Sequence, residues 1–460
     1  MKQQTIKDKI SISGVGIHTG VYTNLTLLPA NENTGILFKR TDLENPVIIP
    51  ADIDFVHSTN RSTNLQKDKN IIHTVEHVLA AVSGSQIDNI IIEVDNCEIP
   101  ILDGSSSPFL ELINKVGIKQ QLAERKYYTV KKKIVFEQDG SNYTLEPSDH
   151  LKASIKIDYN SKILGIQTAE LEDISDFSEK ISTSRTFCFL HELEELLENN
   201  LIKGGDINNA IVIVENKITN KRLKELSEIF KKEDIKVGKD GILNNLKLRY
   251  KNEAARHKLL DIIGDFTLLG IPIKGKITAY KPGHKHNIGF IKKLRNIMKE
   301  DMKNTAPFIN FDEPPVYNRE QIKLILPHRD PFLFIDEIRD LGSDYIIGVK
   351  FVNENESYFT GHFPGAPVMP GVLQLETMAQ AGGVLILNTV ENPEEYLTYF
   401  MKIDNAKFKQ KVIPGDTIIF RLNLISPIRR GLCHMHGKGF VNGKLVVEAD
   451  LLAQIAKKQL

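Results

Sequence analysis

A histidine and two aspartates stand four residues apart in one stretch of this chain, as His257, Asp261 and Asp265. On a helix this spacing puts all three side chains on one face. Elsewhere, His77 directly follows Glu76. Two imidazoles and a carboxylate around an open fourth position suit a catalytic zinc ion, and a neighbouring glutamate can take a proton from water there. The residue types fit a metal-dependent hydrolase, although an isolated HxxxD on a helix is more often a surface or capping feature.

A second pair of reactive side chains occurs later, with His362 in GHFPG and Glu376 in LQLETMAQ. An imidazole and a carboxylate can act as general base and general acid. A carboxylate inside an apolar helix is costly to bury without a partner. Pro370 and Gly371 begin that helix, so its first amide groups face outward and can hold a carbonyl oxygen. The alternative is that Glu376 is an ordinary charge on the helix surface.

Strand and helix patterns predict an α+β framework around the first set of residues. Residues 1–122 begin with strand text and continue with a helix near His73 to Ser83. Residues 123–300 contain strands near Leu151 to Ile157 and Ala210 to Val214, and helical stretches FLHELEELLENN and NEAARHKLLDIIGDFTLLG. Strands followed by helices in both parts predict two α+β layers that pack together.

The rest of the chain has a different plan. Residues 301–317 contain three prolines among polar and acidic residues, which predicts a linker. Residues 318–460 hold one strongly apolar helix, VLQLETMAQAGGVLILNTV, and then several strand runs. Asn442 and Gly443 between two of these runs predict a tight hairpin. We therefore expect an antiparallel sheet that wraps around one helix.

Composition narrows the class of protein. The 59 basic and 59 acidic side chains give a formal net charge of zero, which argues against sequence-independent binding of nucleic acid. The three cysteines are too far apart in sequence for a local thiolate zinc site. No apolar run is long enough for a membrane span, and the first residues lack the apolar core of a secretory signal. We expect a cytoplasmic protein without a membrane span or a nucleic-acid partner.

Several motifs in residues 1–300 occur together in one order: HTVEHVLAAVSGSQIDN, EIPILDGSSSPF, SRTFCF, RHKLLDIIGDFTLLG and AYKPGHKHN. Together they closely resemble the zinc-dependent UDP-3-O-acyl-N-acetylglucosamine deacetylase of lipid A synthesis. The resemblance implies a two-subdomain α+β sandwich and one zinc ion, Zn²⁺. It also implies UDP-3-O-(3-hydroxyacyl)-N-acetylglucosamine as the substrate.

This resemblance assigns roles position by position. It implies that the zinc ligands are His77, His257 and Asp261. It implies that the catalytic residues are Glu76 as general base, His284 as the second catalytic group, Asp265 as its partner, and Thr186 and Lys258 as groups that stabilise the oxyanion.

The substrate contacts are implied in the same way. The acyl-chain passage falls on Phe187, Phe189, Leu193, Leu201 and Ile202, and Lys281 falls on a contact to the uridine diphosphate. Without the resemblance, the apolar residues would read as a helix packing on a core, and Lys281 as a solvated side chain. Two departures stand out: His286 where relatives more often have an apolar residue, and Ser62-Thr63-Asn64 in place of cysteine-containing text.

Residues 318–460 carry a second set of motifs: LPHRDPFLFID, GHFPGAPVMPGVLQLETMAQ, AKFKQKVIPGD and RRGLCHMHGKGFVNGKLVVEA. They resemble the hot-dog-fold 3-hydroxyacyl-acyl-carrier-protein dehydratase. The resemblance implies that His362 removes the α proton, Glu376 protonates the departing hydroxyl, and the Gly371 amide holds the thioester carbonyl. It implies no cofactor, acyl carrier protein as the substrate carrier, and a homo-oligomer, either a dimer or a trimer of dimers.

The predicted function is a fusion of these two enzymes. Two alternatives belong to other classes of protein. The first part could be a non-catalytic module that binds a nucleotide sugar, which the intact set of candidate catalytic residues argues against. The last part could be a thioesterase or an acyl-binding scaffold, because hot-dog folds host several chemistries.

Overall fold

The computed structural model describes residues 1–193, 209–230, 232, 235–243 and 246–458. These residues form two compact units, Met1–Asn296 and Ile297–Leu460. Within the described ranges, no helix combines the length and the apolar character needed to cross a membrane. Both units combine helices with largely antiparallel sheets, which confirms the predicted α+β class.

The first unit is built mainly from short strands. In chain order they are β1 (Lys2–Ile6), β2 (Ile10–Val15), β3 (Tyr22–Pro29), β4 (Ile36–Arg40), β5 (Val47–Pro50), β6 (Val56–Ser58), β7 (Asn64–Lys67), β8 (Asn70–Ile72), β9 (Ile90–Val94), β10 (Ile118–Glu124), β11 (Tyr128–Thr129), β12 (Ile134–Gln138), β13 (Ser141–Glu146), β14 (Leu151–Asp158), β15 (Ile166–Leu171), β16 (Phe187–Phe189), β17 (Ile211–Ile213) and β18 (Ile273–Tyr280).

Two larger sheets organise these strands. The first has the order β2-β3-β9-β4-β5 and is antiparallel except for the β4–β9 pair. The second has the order β12-β13-β18-β14-β15, with β14 and the short β11 both parallel to β18. In β3, Thr23, Leu25 and Leu27 are buried while the intervening residues are more exposed. This period of two is expected of a strand with one face on a core.

Helices pack between and beside these sheets. The helices that begin in the first unit are α1 (Glu76–Gly84), α2 (Ser107–Val116), α3 (Phe177–Lys180), α4 (Asn220–Ile229), α5 (Glu253–Thr267) and α6 (His284–Asn304). Helix α1 packs against α5, and α5 also packs on β14 and β15. Residues 76 to 82 of α1 are all buried, so α1 is a core helix and the polar residues on it need partners inside the protein.

The second unit wraps a sheet around one helix. Its elements are α7 (Arg319–Ile325), β19 (Glu337–Leu341), β20 (Tyr345–Phe351), α8 (Gly371–Leu387), β21 (Tyr396–Phe408), β22 (Thr417–Leu424), β23 (Leu432–Val441) and β24 (Lys444–Lys457). The sheet is antiparallel with the order β19-β20-β22-β23-β24-β21. Helix α8 packs on β20, β22, β23 and β24, as the predicted hot-dog plan requires.

The turn between β23 and β24 confirms the predicted hairpin. Asn442 and Gly443 have φ angles of 48° and 75°. A two-residue turn with positive φ at both positions matches the twist of the flanking strands, and Asn-Gly adopts it at low cost.

The segment predicted as a linker makes ordered contacts at its end. Tyr317 and Ile338 exchange backbone hydrogen bonds of 3.2 and 2.8 Å. Arg339 donates from Nη1 to the carbonyl of Glu313 at 2.7 Å, and its guanidinium lies 4.9 Å from the ring centre of Phe311. Residues 311–317 therefore pack on the second unit.

Candidate active sites

The contact between α1 and α5 brings together the three predicted metal ligands. Ligand atoms of His77, His257 and Asp261 all lie within 4.8 Å of one another, and all three residues are buried. The two imidazole rings meet edge to face with centroids 5.2 Å apart. The i, i+4 spacing places His257 and Asp261 on one face of α5, and helix packing adds His77 from α1.

Hydrogen bonds orient two of these donors. His257 Nδ1 lies 3.1 Å from the carbonyl oxygen of Ser184, so Nδ1 carries the proton and Nε2 is free to face the cluster. Asp261 Oδ2 accepts a hydrogen bond from Lys258 Nζ at 2.8 Å. Asp261 Oδ1 is buried, lies 3.4 Å from His257 Nε2 and accepts no hydrogen bond in the described part of the chain.

The electrostatics of the cluster favour a bound cation. Burial and the neighbouring His257 lower the pKa of His77 to about 3, and burial also lowers the pKa of His257. Burial would raise the pKa of Asp261, but His257 and Lys258 outweigh it and hold that pKa well below its usual range. Two neutral imidazoles and an ionised carboxylate with one unpartnered oxygen fit a divalent metal.

An acid–base pair lies beside this cluster. Glu76 Oε1 is 3.7 Å from His284 Nε2, and His284 Nδ1 is 2.9 Å from Asp265 Oδ2. Burial raises the pKa of Glu76 to about 7. Burial would lower the pKa of His284, but the carboxylates of Asp265, Asp261 and Glu76 raise it to about 9. At neutral pH the imidazole is therefore charged, while the glutamate can accept or release a proton.

A cavity of about 270 Å³ opens onto both groups. The predicted site residues that line it are Glu76, His77, Thr186, Phe187, Phe189, Leu193, His257, Lys258, Asp261 and His284. Asp265 is fully buried behind His284. Lys281 is not part of the lining and lies 3.4 Å from Asp158 Oδ2. Leu201 and Ile202 lie outside the described residues.

The cavity wall also contains residues that the sequence reading missed. Tyr159 packs edge to face on Phe187 and Phe189, with ring centroids 5.6 and 5.7 Å apart. His18 and Arg61 belong to the same wall. His18 lies in GVGIHTG, and nothing in its sequence spacing links it to the metal cluster.

In the second unit, Glu376 lines a cavity of about 210 Å³. Its Oε1 accepts a hydrogen bond from Gln380 Nε2 at 2.9 Å and lies 3.5 Å from His328 Nε2. Gln380, 2% exposed, also donates to the carbonyl of Phe332 and accepts from the Phe334 amide. The remaining lining is mostly apolar, as a site for an acyl chain requires.

His362 does not line that cavity. Its Nδ1 donates to the carbonyl oxygen of Val368 at 2.8 Å, which leaves Nε2 available as a base. Gly371 is the first residue of α8, as expected, and Phe408 packs against it. One chain thus presents the predicted base and the predicted acid in different surroundings.

Comparison with known proteins matches both units. The UDP-3-O-acyl N-acetylglycosamine deacetylase family matches residues 3–233 and 230–296, and the FabA-like domain family matches residues 326–450. A protein of Porphyromonas gingivalis named bifunctional enzyme LpxC/FabZ is 46% identical, over 100% of this chain and 99% of that protein. Proteins of the same name from Bacteroides thetaiotaomicron and Chlorobaculum tepidum are 44% and 41% identical, each over at least 99% of both chains.

Proposed function

The chain belongs to the family of bifunctional LpxC/FabZ enzymes, and on this premise we propose two reactions for it. The first unit hydrolyses the N-acetyl group of UDP-3-O-(3-hydroxyacyl)-N-acetylglucosamine. The second unit dehydrates (3R)-3-hydroxyacyl-acyl-carrier-protein to the trans-2-enoyl form. The enzyme is thus a hydrolase and a lyase, with one step in lipid A synthesis and one in fatty acid synthesis.

The proposed metal is one zinc ion, held by His77, His257 and Asp261. The unpartnered Asp261 Oδ1, buried 3.4 Å from His257 Nε2 in a cluster that also contains His77, is the observation that carries this proposal. Bound zinc supplies a Lewis acid and lowers the pKa of a coordinated water to about 7.

Glu76 is the proposed general base. Its carboxylate is next to the metal ligands, and its pKa of about 7 suits a group that takes a proton from water at neutral pH. The hydroxide oxygen forms a bond to the acetyl carbon, and the C–N bond then breaks to give acetate and a free amine.

His284 is the proposed acid. Asp265 holds its Nδ1–H, so the Nε2–H faces Glu76 and the cavity and can be given to the departing amine. Thr186 and Lys258, which line the same cavity, stabilise the negative charge that develops on the amide oxygen. One such donor is typically worth about 3 to 4 kcal/mol.

The substrate contacts follow the same proposal. Phe187, Phe189 and Leu193 on the cavity wall contact the acyl chain, together with Leu201 and Ile202. Lys281 contacts the diphosphate. We also propose the subdomain division at residues 122 and 123, a linker over residues 301–317, and a cytoplasmic location.

The dehydratase proposal needs no cofactor. His362 Nε2 removes the α proton, Glu376 protonates the hydroxyl that leaves as water, and the Gly371 amide donates to the thioester carbonyl. Because His362 is not in the lining of the Glu376 cavity, we propose that two subunits complete each site, in a dimer or a trimer of dimers. Acyl carrier protein delivers the substrate.

Joining the two activities has a chemical rationale. A 3-hydroxyacyl thioester is the point where carbon divides between lipid A and longer fatty acids, so one polypeptide would fix the ratio of the two steps. Splitting the chain within residues 301–317 should then change the cellular ratio of lipid A to phospholipid. Neither product is the substrate of the other unit, and we propose no channelling.

The test measures both reactions in one preparation of full-length protein. Acetate release from UDP-3-O-(3-hydroxymyristoyl)-N-acetylglucosamine and enoyl formation are followed with and without a chelator. Chelation should stop acetate release, spare dehydration, and be reversed by added zinc; Asp261→Ala should abolish acetate release. No acetate from the wild type would favour the binding-module alternative, and release of free thiol without enoyl product would favour a thioesterase.

A further inference from the structure

Thr63 contacts both the candidate base of the first unit, Glu76, and the candidate acid, His284, although it lies in neither of the sequence motifs that contain them. The residue is fully buried and directly precedes β7. Its backbone amide donates to Glu76 Oε2 at 3.0 Å, and its carbonyl accepts from the Val75 amide at 3.1 Å. The Thr63 backbone is therefore hydrogen-bonded to the start of α1 and holds one oxygen of Glu76 in place.

The Thr63 side chain reaches the other half of the pair. Its hydroxyl donates to Asp265 Oδ1 at 2.6 Å, and the Thr63 hydroxyl oxygen lies 3.2 Å from His284 Nδ1. Asp265 Oδ2 receives His284 Nδ1 at 2.9 Å and Asn287 Nδ2 at 2.7 Å. The hydroxyl has one proton, which is used on Asp265, so the Nδ1–H of His284 is shared between Asp265 and the Thr63 oxygen.

The two polar atoms that Thr63 leaves unbonded belong to Glu76 and His284, which both line the cavity. Glu76 Oε2 and Asp265 Oδ1 are occupied by Thr63, which leaves Glu76 Oε1 and His284 Nε2 facing each other at 3.7 Å. A carboxylate held at one oxygen cannot rotate freely, and an imidazole held at Nδ1 keeps one ring orientation.

We propose that Thr63 is a positioning residue for the deacetylation, with its hydroxyl fixing the Asp265–His284 pair and its amide fixing Glu76. This inference rests on the proposed deacetylase function. A purely structural residue would affect mainly Tm or KM when it is replaced. Loss of a positioning hydroxyl should instead lower kcat more than it changes Tm or KM.

The test compares Thr63→Val and Thr63→Ser in the full-length protein. Valine keeps the shape and the backbone amide but removes the hydroxyl, while serine keeps the hydroxyl. Thr23→Val is the matched control, because Thr23 is also fully buried in the first unit and its hydroxyl has no hydrogen-bond partner among the described residues. Acetate release gives kcat and KM, and zinc content and Tm are measured for each protein.

We expect Thr63→Val to lose kcat by roughly 10- to 100-fold, the usual range for a group that orients a site residue, with unchanged KM and zinc content. Thr63→Ser should recover kcat to within about threefold, and Thr23→Val should match the wild type. An active wild type with an equally active Thr63→Val, or a loss in Thr63→Val that serine does not rescue, would overturn this inference alone. No acetate from the wild type would overturn the proposed function and this inference with it.

Discussion

Gly264 of α5 lies directly against the backbone carbonyl of Glu76, at the point where α1 meets α5. A Cβ at position 264 would overlap that carbonyl, and backbone cannot move aside as a flexible side chain can. The missing side chain therefore sets the separation of the two helices. Because His77 is on α1 while His257 and Asp261 are on α5, it also sets the separation of the proposed metal donors.

Gly264→Ala should therefore damage the metal site. The added methyl group forces the helices apart, so we expect lower zinc affinity and at least a tenfold loss of acetate release. Zinc content after dialysis and acetate release measure this. Dehydration by the same preparation is the internal control and should be unchanged; normal zinc content with normal acetate release would contradict the role given to this glycine.

A buried ion pair holds the segment that carries Thr186 to the helix that carries His257. Arg185 Nε donates to Glu253 Oε1 at 2.8 Å, and the two side chains are 6% and 0% exposed. Removing the arginine in Arg185→Met leaves a buried carboxylate without its counter-ion, which typically costs about 3 to 5 kcal/mol. Thermal unfolding should show a clearly lower midpoint temperature for the transition in which acetate release is lost.

The control for this pair is an exposed one. Lys152 and Glu172 are 2.9 Å apart on the surface, where solvent screens the attraction. Glu172→Ala should leave the midpoint temperature of thermal unfolding unchanged. Equal losses of thermal stability in Arg185→Met and Glu172→Ala would contradict the larger contribution that burial is expected to give the Arg185–Glu253 pair.

Much of the first candidate site could be predicted because two of its residues, His257 and Asp261, lie close together in the sequence. His257 and Asp261 are one helical turn apart, and the periodic apolar pattern around them predicts the helix that carries both. The predicted helix near His73 to Ser83 also exists, but it begins at Glu76, because Thr74 has a positive φ of 63° that no α-helix accommodates.

The remaining contacts join distant segments. Thr63 and Asp265 are separated by 202 positions, and Tyr159 packs on Phe187, which lies in a different segment of the chain. No local period encodes such contacts. The residue types already suggest His77 as a third ligand and the family resemblance implies His284, but neither assigns a role to Thr63, which depends on hydrogen bonds from both its backbone and its side chain.

Gln380 should matter for dehydration through Glu376. Gln380→Leu removes the donor to Glu376 Oε1 and leaves the buried Phe334 amide without its acceptor, so we expect roughly a tenfold lower kcat and a lower Tm. Enoyl formation measures the first effect. Gln374→Leu is the matched control on the same helix: Gln374 is also buried, but its Oε1 has no partner in the described residues and its Nε2 donates only to the Met369 carbonyl at 3.3 Å, so its substitution should cost less.

Two inactive variants should complement each other if subunits share sites. His362→Ala and Glu376→Ala should each lack dehydratase activity alone. When the two chains are co-expressed in equal amounts, half of the dimers are mixed and each mixed dimer keeps one intact site, so about a quarter of wild-type activity should return. No recovery in verified mixed dimers would show that each chain builds its own site.

The proposed metal donors come from distant parts of the chain, since His77 and His257 are on different helices. During synthesis His77 emerges early, but the donor set does not exist until Asp261 has emerged and α5 has packed on α1. Under the proposed zinc assignment, metal loading must follow translation of most of the first unit, while the proposed dehydration uses no metal. In a cell short of zinc, newly made chains would keep the dehydratase and lose the deacetylase, so scarcity of one ion would shift carbon from lipid A toward fatty acids without any change in expression.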